Sequence, residues 1–236
     1  MMLNVRFLFR TARLSSRGGF TLVELLVVIG IIAILAGVSL GPITNGIKKA
    51  KQNAGMQTVR TIAVSEFAFG NDNNGSYPDT NVPVGNTGSG AAAVAQPLIS
   101  GGYCSDPTIF YISGGTATKY SGSTAATSIA ATNISFDFTG NTGSGVSSNF
   151  PDQCPVAWSS VAVGGTEPTL TTAAGSAITA VPTAANPFGL GGIAVAYKSN
   201  SAKFVLYSTV TSNCTLVDTS WAGGNPATVS VLKGGG

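Results

Sequence analysis

The sequence predicts an α+β protein: one long N-terminal α-helix with a transmembrane first half, packed against an antiparallel β-sheet head with long Gly/Ser/Thr-rich loops. Three observations lead there. Residues 20–43 read FTLVELLVVIGIIAILAGVSLGPI, an apolar run broken only by Thr21, Glu24, Ser39 and Pro42. Beyond it Ile43, Ile47, Ala50 and Ala54 recur at helical spacing, and Val59, Ile62, Ala63 and Phe67 continue the stripe. From residue 80 onward, short β-prone strings alternate with Gly/Ser/Thr/Asn turns.

Taken in order, residues 20–43 as a helix cover about 36 Å, enough for a bilayer core of about 30 Å. Gly41-Pro42 is expected to interrupt or kink the helix, because proline lacks an amide donor and collides with the preceding turn. The helix then resumes to roughly Phe67, with Lys48, Lys49, Lys51 and Arg60 mainly opposite its apolar stripe. Asn71 to Gly75 (NDNNG) supplies a helix stop, and Tyr77-Pro78-Asp79 follows. The expected strands are Thr108–Ile112, Asn133–Phe138, Val156–Val163, Ile193–Tyr197, Lys203–Thr211 and, more weakly patterned, Thr228–Leu232. They favour a sheet with one face on the helix and the other toward solvent. Segments 81–96, 113–132 and 139–149 are low-complexity Gly/Ala/Ser/Thr and read as surface loops. The resulting division is a leader at 1–19, a transmembrane helix at 20–42, its amphipathic continuation at 43–70 and a β-rich head at 71–236.

Composition narrows the chemistry. The 236 residues contain no histidine, which excludes a Ser-His-Asp triad, a His-bearing zinc site and an imidazole base. Charged residues make up 9%, against roughly 25% in a typical soluble domain. Arg6, Arg10, Arg13 and Arg17 precede the apolar run without an accompanying acid, so the positive-inside rule leaves the N-terminus in the cytoplasm and the head outside. Between Phe67 and Tyr197 the only base is Lys119, which gives no basic stripe for nucleic acid. Asp106, Asp137, Asp152, Glu167 and Asp218 are scattered singly and read as solvated loop or turn residues. Asp72, Asn74 and Asp79 lack the spacing of a calcium loop, and the glycine clusters fit no phosphate-cradling motif. Trp158 and Trp221 are read as core or contact residues rather than sugar platforms. No enzyme, cofactor or metal is expected.

Glu24 is the anomaly in the apolar run. A carboxylate at the centre of a bilayer costs about 2.5 to 3.5 kcal/mol and less near its edge, so it calls for a partner. The small pair Gly18-Gly19 lies before the apolar run, the reverse of a conventional secretory signal. A cut after Gly19 discards the basic leader, keeps the helix and turns the Phe20 nitrogen into a cation. Glu24, one helical turn away, can pair with that amine or with the amine of a neighbouring copy, hiding two charges together and fixing axial register.

The string from Arg17 to Ile29, RGGFTLVELLVVI, resembles the class III signal of type IV pilins and type II secretion pseudopilins. The resemblance extends over roughly residues 17 to 70, about a quarter of the chain, and includes the polar turn and Tyr-Pro pair at the helix exit. It implies cleavage between Gly19 and Phe20 by a membrane prepilin peptidase, N-methylation of Phe20, and assembly guided by Glu24 and the methylated Phe20 amine of an adjacent subunit. It also implies homo- or hetero-oligomers with other pilin-like subunits, an inner-membrane assembly platform with its ATPase, and a single-pass inner-membrane location before incorporation into a fibre. The three cysteines, Cys104, Cys154 and Cys214, all fall in the head and leave three single bridges open. The C-terminal disulfide loop of many pilins points to Cys154–Cys214. The expected function is a structural subunit of an envelope-spanning helical fibre, a type II secretion pseudopilin ahead of a type IV pilin for adhesion, motility or DNA uptake. The rival class is a membrane-anchored extracellular binding module that does not polymerise.

Overall fold

A computed structural model describes residues 19–83, 88–122, 129–141, 146–147, 150–168, 177–217 and 229–234. The leader arginines, Gly18, Asp218 and Trp221 lie outside the described residues. The chain forms two units, Met1–Ile47 and Lys48–Gly236.

A single helix, α1 (Leu22–Asp72), contributes to both units and passes through Pro42 without the expected interruption. Near the proline the hydroxyls are satisfied within the helix: Ser39 Oγ donates to the Leu35 carbonyl at 2.7 Å and Thr44 Oγ1 to the Gly41 carbonyl at 2.8 Å. In the first unit every described side chain of α1 is exposed. In the second, α1 buries Gly55, Val59, Ile62, Ala63, Ser65, Glu66, Phe69 and Gly70. Of the predicted stripe, Val59, Ile62 and Ala63 are buried, whereas Ala50 and Ala54 are exposed and Gly55 takes the inward position beside them. Phe67 remains 43% exposed, while Glu66 and Phe69 turn inward. The helix ends at the NDNNG stop, where Gly75, at φ +79°, returns its amide to the Gly70 carbonyl at 2.8 Å.

The head holds a five-stranded antiparallel sheet formed by β1 (Phe136–Asn141), β2 (Pro155–Ser159), β4 (Gly192–Tyr197), β5 (Ala202–Leu206) and β7 (Val229–Leu232), in the order β5-β4-β2-β1-β7. In register, Asp137 faces Trp158, Trp158 faces Val195, and Ala194 faces Phe204. A ribbon of β3 (Ile178–Ala180) and β6 (Cys214–Val217) forms a second sheet, tied to the first by a hydrogen bond from Tyr197 Oη to the Leu216 carbonyl.

Four expectations are corrected. Strands β2 and β4 are buried throughout, so neither has a solvent side, and exposure in this sheet is found at the edge strand β5, at Lys203 and Leu206. Part of the predicted loop 81–96 belongs to a buried helix, α2 (Ala92–Ser100), in which Ala-rich sequence favours helix and packs closely. Residues 107–110, inside the predicted strand Thr108–Ile112, form a 3₁₀ turn. Asp106 caps its start by accepting the Thr108 amide, and Pro107 fixes its first dihedral. The strand expected at Lys203–Thr211 stops at Leu206, before a turn through Ser208–Asn213.

Candidate processing and assembly site

Gly19 and Phe20 precede α1, both exposed, and a side chain added at Gly19 would meet nothing within 4 Å. The peptide between them is therefore open to approach among the described residues. Thr21 then starts the helix. Its carbonyl accepts the Leu25 amide at 3.2 Å, and its hydroxyl oxygen accepts the Glu24 amide at 3.2 Å. In return Glu24 Oε2 accepts the Thr21 amide at 2.8 Å and the Thr21 hydroxyl at 2.9 Å. This is a reciprocal capping box, in which donors left open by the first turn are satisfied by side chains three residues apart. The spacing Thr21-x-x-Glu24 was legible in the sequence, where only the cost of the acid was weighed.

Glu24 thus does local work before meeting any partner. One carboxylate oxygen closes the helix end, and among the described residues Oε1 has no hydrogen-bond partner. A negative group at a helix N-terminus is also favoured by the helix dipole. From Leu22 onward the surface is apolar all round, with an 18-residue window of mean hydropathy 2.7 and none of it buried. Such a surface requires lipid or other apolar helices around it.

The structure gathers Gly19, Phe20 and Glu24 at one helix end. It does not form the expected Cys154–Cys214 bridge: Cys104, Cys154 and Cys214 are all buried free thiols. Cys104 Sγ donates to the Asp106 carbonyl at 3.3 Å, and Cys154 Sγ donates to the Pro155 carbonyl at 3.5 Å, so these two thiols are engaged locally. Burial pushes the Cys154 thiol up to about 12 and Cys214 to about 11, leaving little thiolate for redox chemistry at neutral pH.

Asp137 and Glu167, read from the sequence as solvated, are drawn inward, and Glu66, given no reading there, is buried as well. Asp137 is fully buried on β1, where Oδ1 accepts the Gly234 amide at 2.8 Å and Oδ2 the Val161 amide at 3.2 Å, pinning the segment after β7. Burial, reinforced by the negative charge of Glu167, pushes its carboxyl up to about 7. Glu167 is itself half-buried and raised by desolvation, while Lys233, 3.7 Å away, opposes that rise. Glu66 on α1 is 2% exposed with an unpartnered Oε2, and burial raises it well above the carboxylate range. No local pattern announces these placements, because strands distant in sequence create them. Trp158 is completely buried, which removes it as a sugar platform.

Neither the curated proteins nor the solved structures contain a significant match to the chain. The family model of the prokaryotic N-terminal methylation motif matches residues 14–40, the stretch holding Gly19, Phe20, Thr21 and Glu24. The motif and the apolar helix fit a membrane-anchored, fibre-forming protein. The chain carries the class III prepilin-type signal of type IV pilins and pseudopilins, which supports a pilin-like subunit and implies processing by prepilin peptidase and assembly with other such subunits.

Proposed function

We propose that this chain is a structural subunit of an envelope-spanning helical fibre, and more narrowly a pseudopilin of a type II secretion system. The observation that carries the reading is the methylation motif at residues 14–40, which from Leu22 onward lies on the exposed apolar stretch of α1. The precursor sits in the inner membrane with its arginines in the cytoplasm and its head outside. Prepilin peptidase cuts between Gly19 and Phe20, Phe20 is N-methylated, and Glu24 pairs with the amine of an adjacent subunit. An assembly platform and its ATPase supply the work of extraction, during which the helix exchanges lipid contacts for those of neighbouring helices. The head is structural and carries no catalysis. The narrower assignment is supported by the helix exit through Gly75-Ser76-Tyr77-Pro78, where Tyr77 is buried and its amide donates to the Val146 carbonyl at 2.7 Å.

N-terminal mass spectrometry of protein extracted from membranes is expected to find a chain beginning at methylated Phe20, and Gly19→Val is expected to retain the leader. A wild-type chain that keeps its arginines overturns the processing claim. Glu24→Val should insert normally yet lose sheared fibres, because it leaves the amine of the adjacent subunit in apolar packing without its counter-charge. Normal fibres from this variant, seen by electron microscopy, would remove the role given to Glu24.

A further inference from the structure

Within the head unit, Lys48, Lys51 and Gln52 of α1 form one side of a groove of about 390 Å³, and Pro187, Phe188 and Leu190 form another. The apolar side is held in place. Phe188 lies against Gly55, where an added Cβ would overlap its ring, and packs edge-on to Phe204 at 5.1 Å. Leu190 is 55% exposed despite its apolar side chain. Among the described residues Lys48, Lys49 and Lys51 have no ion-pair partner.

Two aspects of this groove select an occupant. It sets unpaired cations beside an apolar wall, which is complementary to an anion carrying a hydrocarbon chain. Its lysines also follow Pro42 within three helical turns in sequence, where a chain leaving the hydrocarbon meets headgroups. Lysine stems reach back several ångströms along apolar surface. Three lysines beside a membrane span on its translocated side run against the positive-inside bias, so their charge there needs a counterpart.

We propose that this groove binds an anionic phospholipid, with Lys48 and Lys51 holding the headgroup phosphate and Phe188 and Leu190 lying along the upper acyl chain. The inference rests on membrane insertion with the head translocated, as in the proposed function, but not on fibre assembly. Bound lipid neutralises the lysines.

The test is native mass spectrometry of the full chain in mild detergent, with phosphatidylglycerol or phosphatidylcholine added. The expected result is preferential retention of phosphatidylglycerol, reduced about tenfold by Lys48→Gln with Lys51→Gln. Lys49→Gln, outside the groove, should change retention little, and Leu190→Ser should weaken it. Equal retention of both lipids overturns the proposal, as does an equal loss from Lys49→Gln, which would indicate diffuse charge. Displacement of the lipid by millimolar inorganic phosphate, or a dimer that depends on Lys48 and Lys51, assigns the groove to a free anion or a second copy instead. Flotation of the chain with membranes separates the two readings. A chain that floats without lipid preference defeats the groove alone, and one that does not float defeats the membrane reading with it.

Discussion

From Leu22 to Ile47, helix α1 leaves every side chain exposed, Leu22 at 78% and Val38 at 74%, whereas between Gly55 and Gly70 it hides Val59 and Ile62 completely. Both stretches are rich in aliphatic residues, so hydrophobicity alone does not decide burial. The first is apolar on every side and finds no covering surface within the described chain. The second turns Val59, Ile62, Ala63 and Phe69 inward, where the head covers them, and leaves Val64 and Phe67 partly exposed. One stretch is completed by folding, while the other requires a solvent or partner supplied from outside.

The sharpest way to break this contrast is a matched pair of truncations. Ile62→Ala should destabilise the head by about 2 to 5 kcal/mol, because it leaves a cavity in a packed core. Ile32→Ala should leave head unfolding within about 0.5 kcal/mol. Denaturant melts of the full chain in detergent measure both, and equal effects would erase the distinction between the stretches.

A second expectation concerns pH. The Asp137 carboxyl in the folded head is raised to about 7, above an unfolded value of about 3.9, so the folded state holds a proton that the unfolded chain releases. Glu66 is shifted in the same direction. Stability is therefore greatest below about pH 4 with respect to Asp137 and declines as pH rises toward 7. Asp137→Asn should flatten part of that slope in thermal melts across this range. An unchanged slope would remove Asp137 as its source.

Smaller effects come from the glycines. Gly55→Ala pushes against the Phe188 ring and should cost about 1 to 3 kcal/mol, whereas Gly37 has nothing within 4 Å of an added Cβ. Gly37→Ala should leave head stability unchanged, as read by the same melts, and sharpen the contrast further.

Much of this organisation was legible in the sequence where pattern and local chemistry agree. The apolar run, the stripe through Val59, Ile62 and Ala63, the NDNNG stop and the β4 string GIAVAY all declare their state locally. At the N-terminus, Gly19, Phe20 and Glu24 stood out because an acid in apolar sequence demands an explanation. Elsewhere local signals competed. TIFYI has β-prone residues, yet Asp106-Pro107 before it starts a 3₁₀ turn. Ala91 to Ala95 looked like low complexity, although alanine is the strongest helix former and fits a crowded interior. The β3–β6 ribbon was missed because strands of three and four residues are too short to show periodicity. Long-range packing decided the burial of Asp137, Glu66 and the three thiols, which no single-sequence window contains.

The Thr21–Glu24 cap has a consequence for how an incoming positive charge is received. A glutamate on an open helix face samples several rotamers and loses that freedom when a cation arrives. Here Oε2 is tethered to the backbone and hydroxyl of Thr21, so the ordering entropy has already been spent when the helix forms. The spare oxygen is a preset acceptor, and a cation approaching it encounters a fixed target.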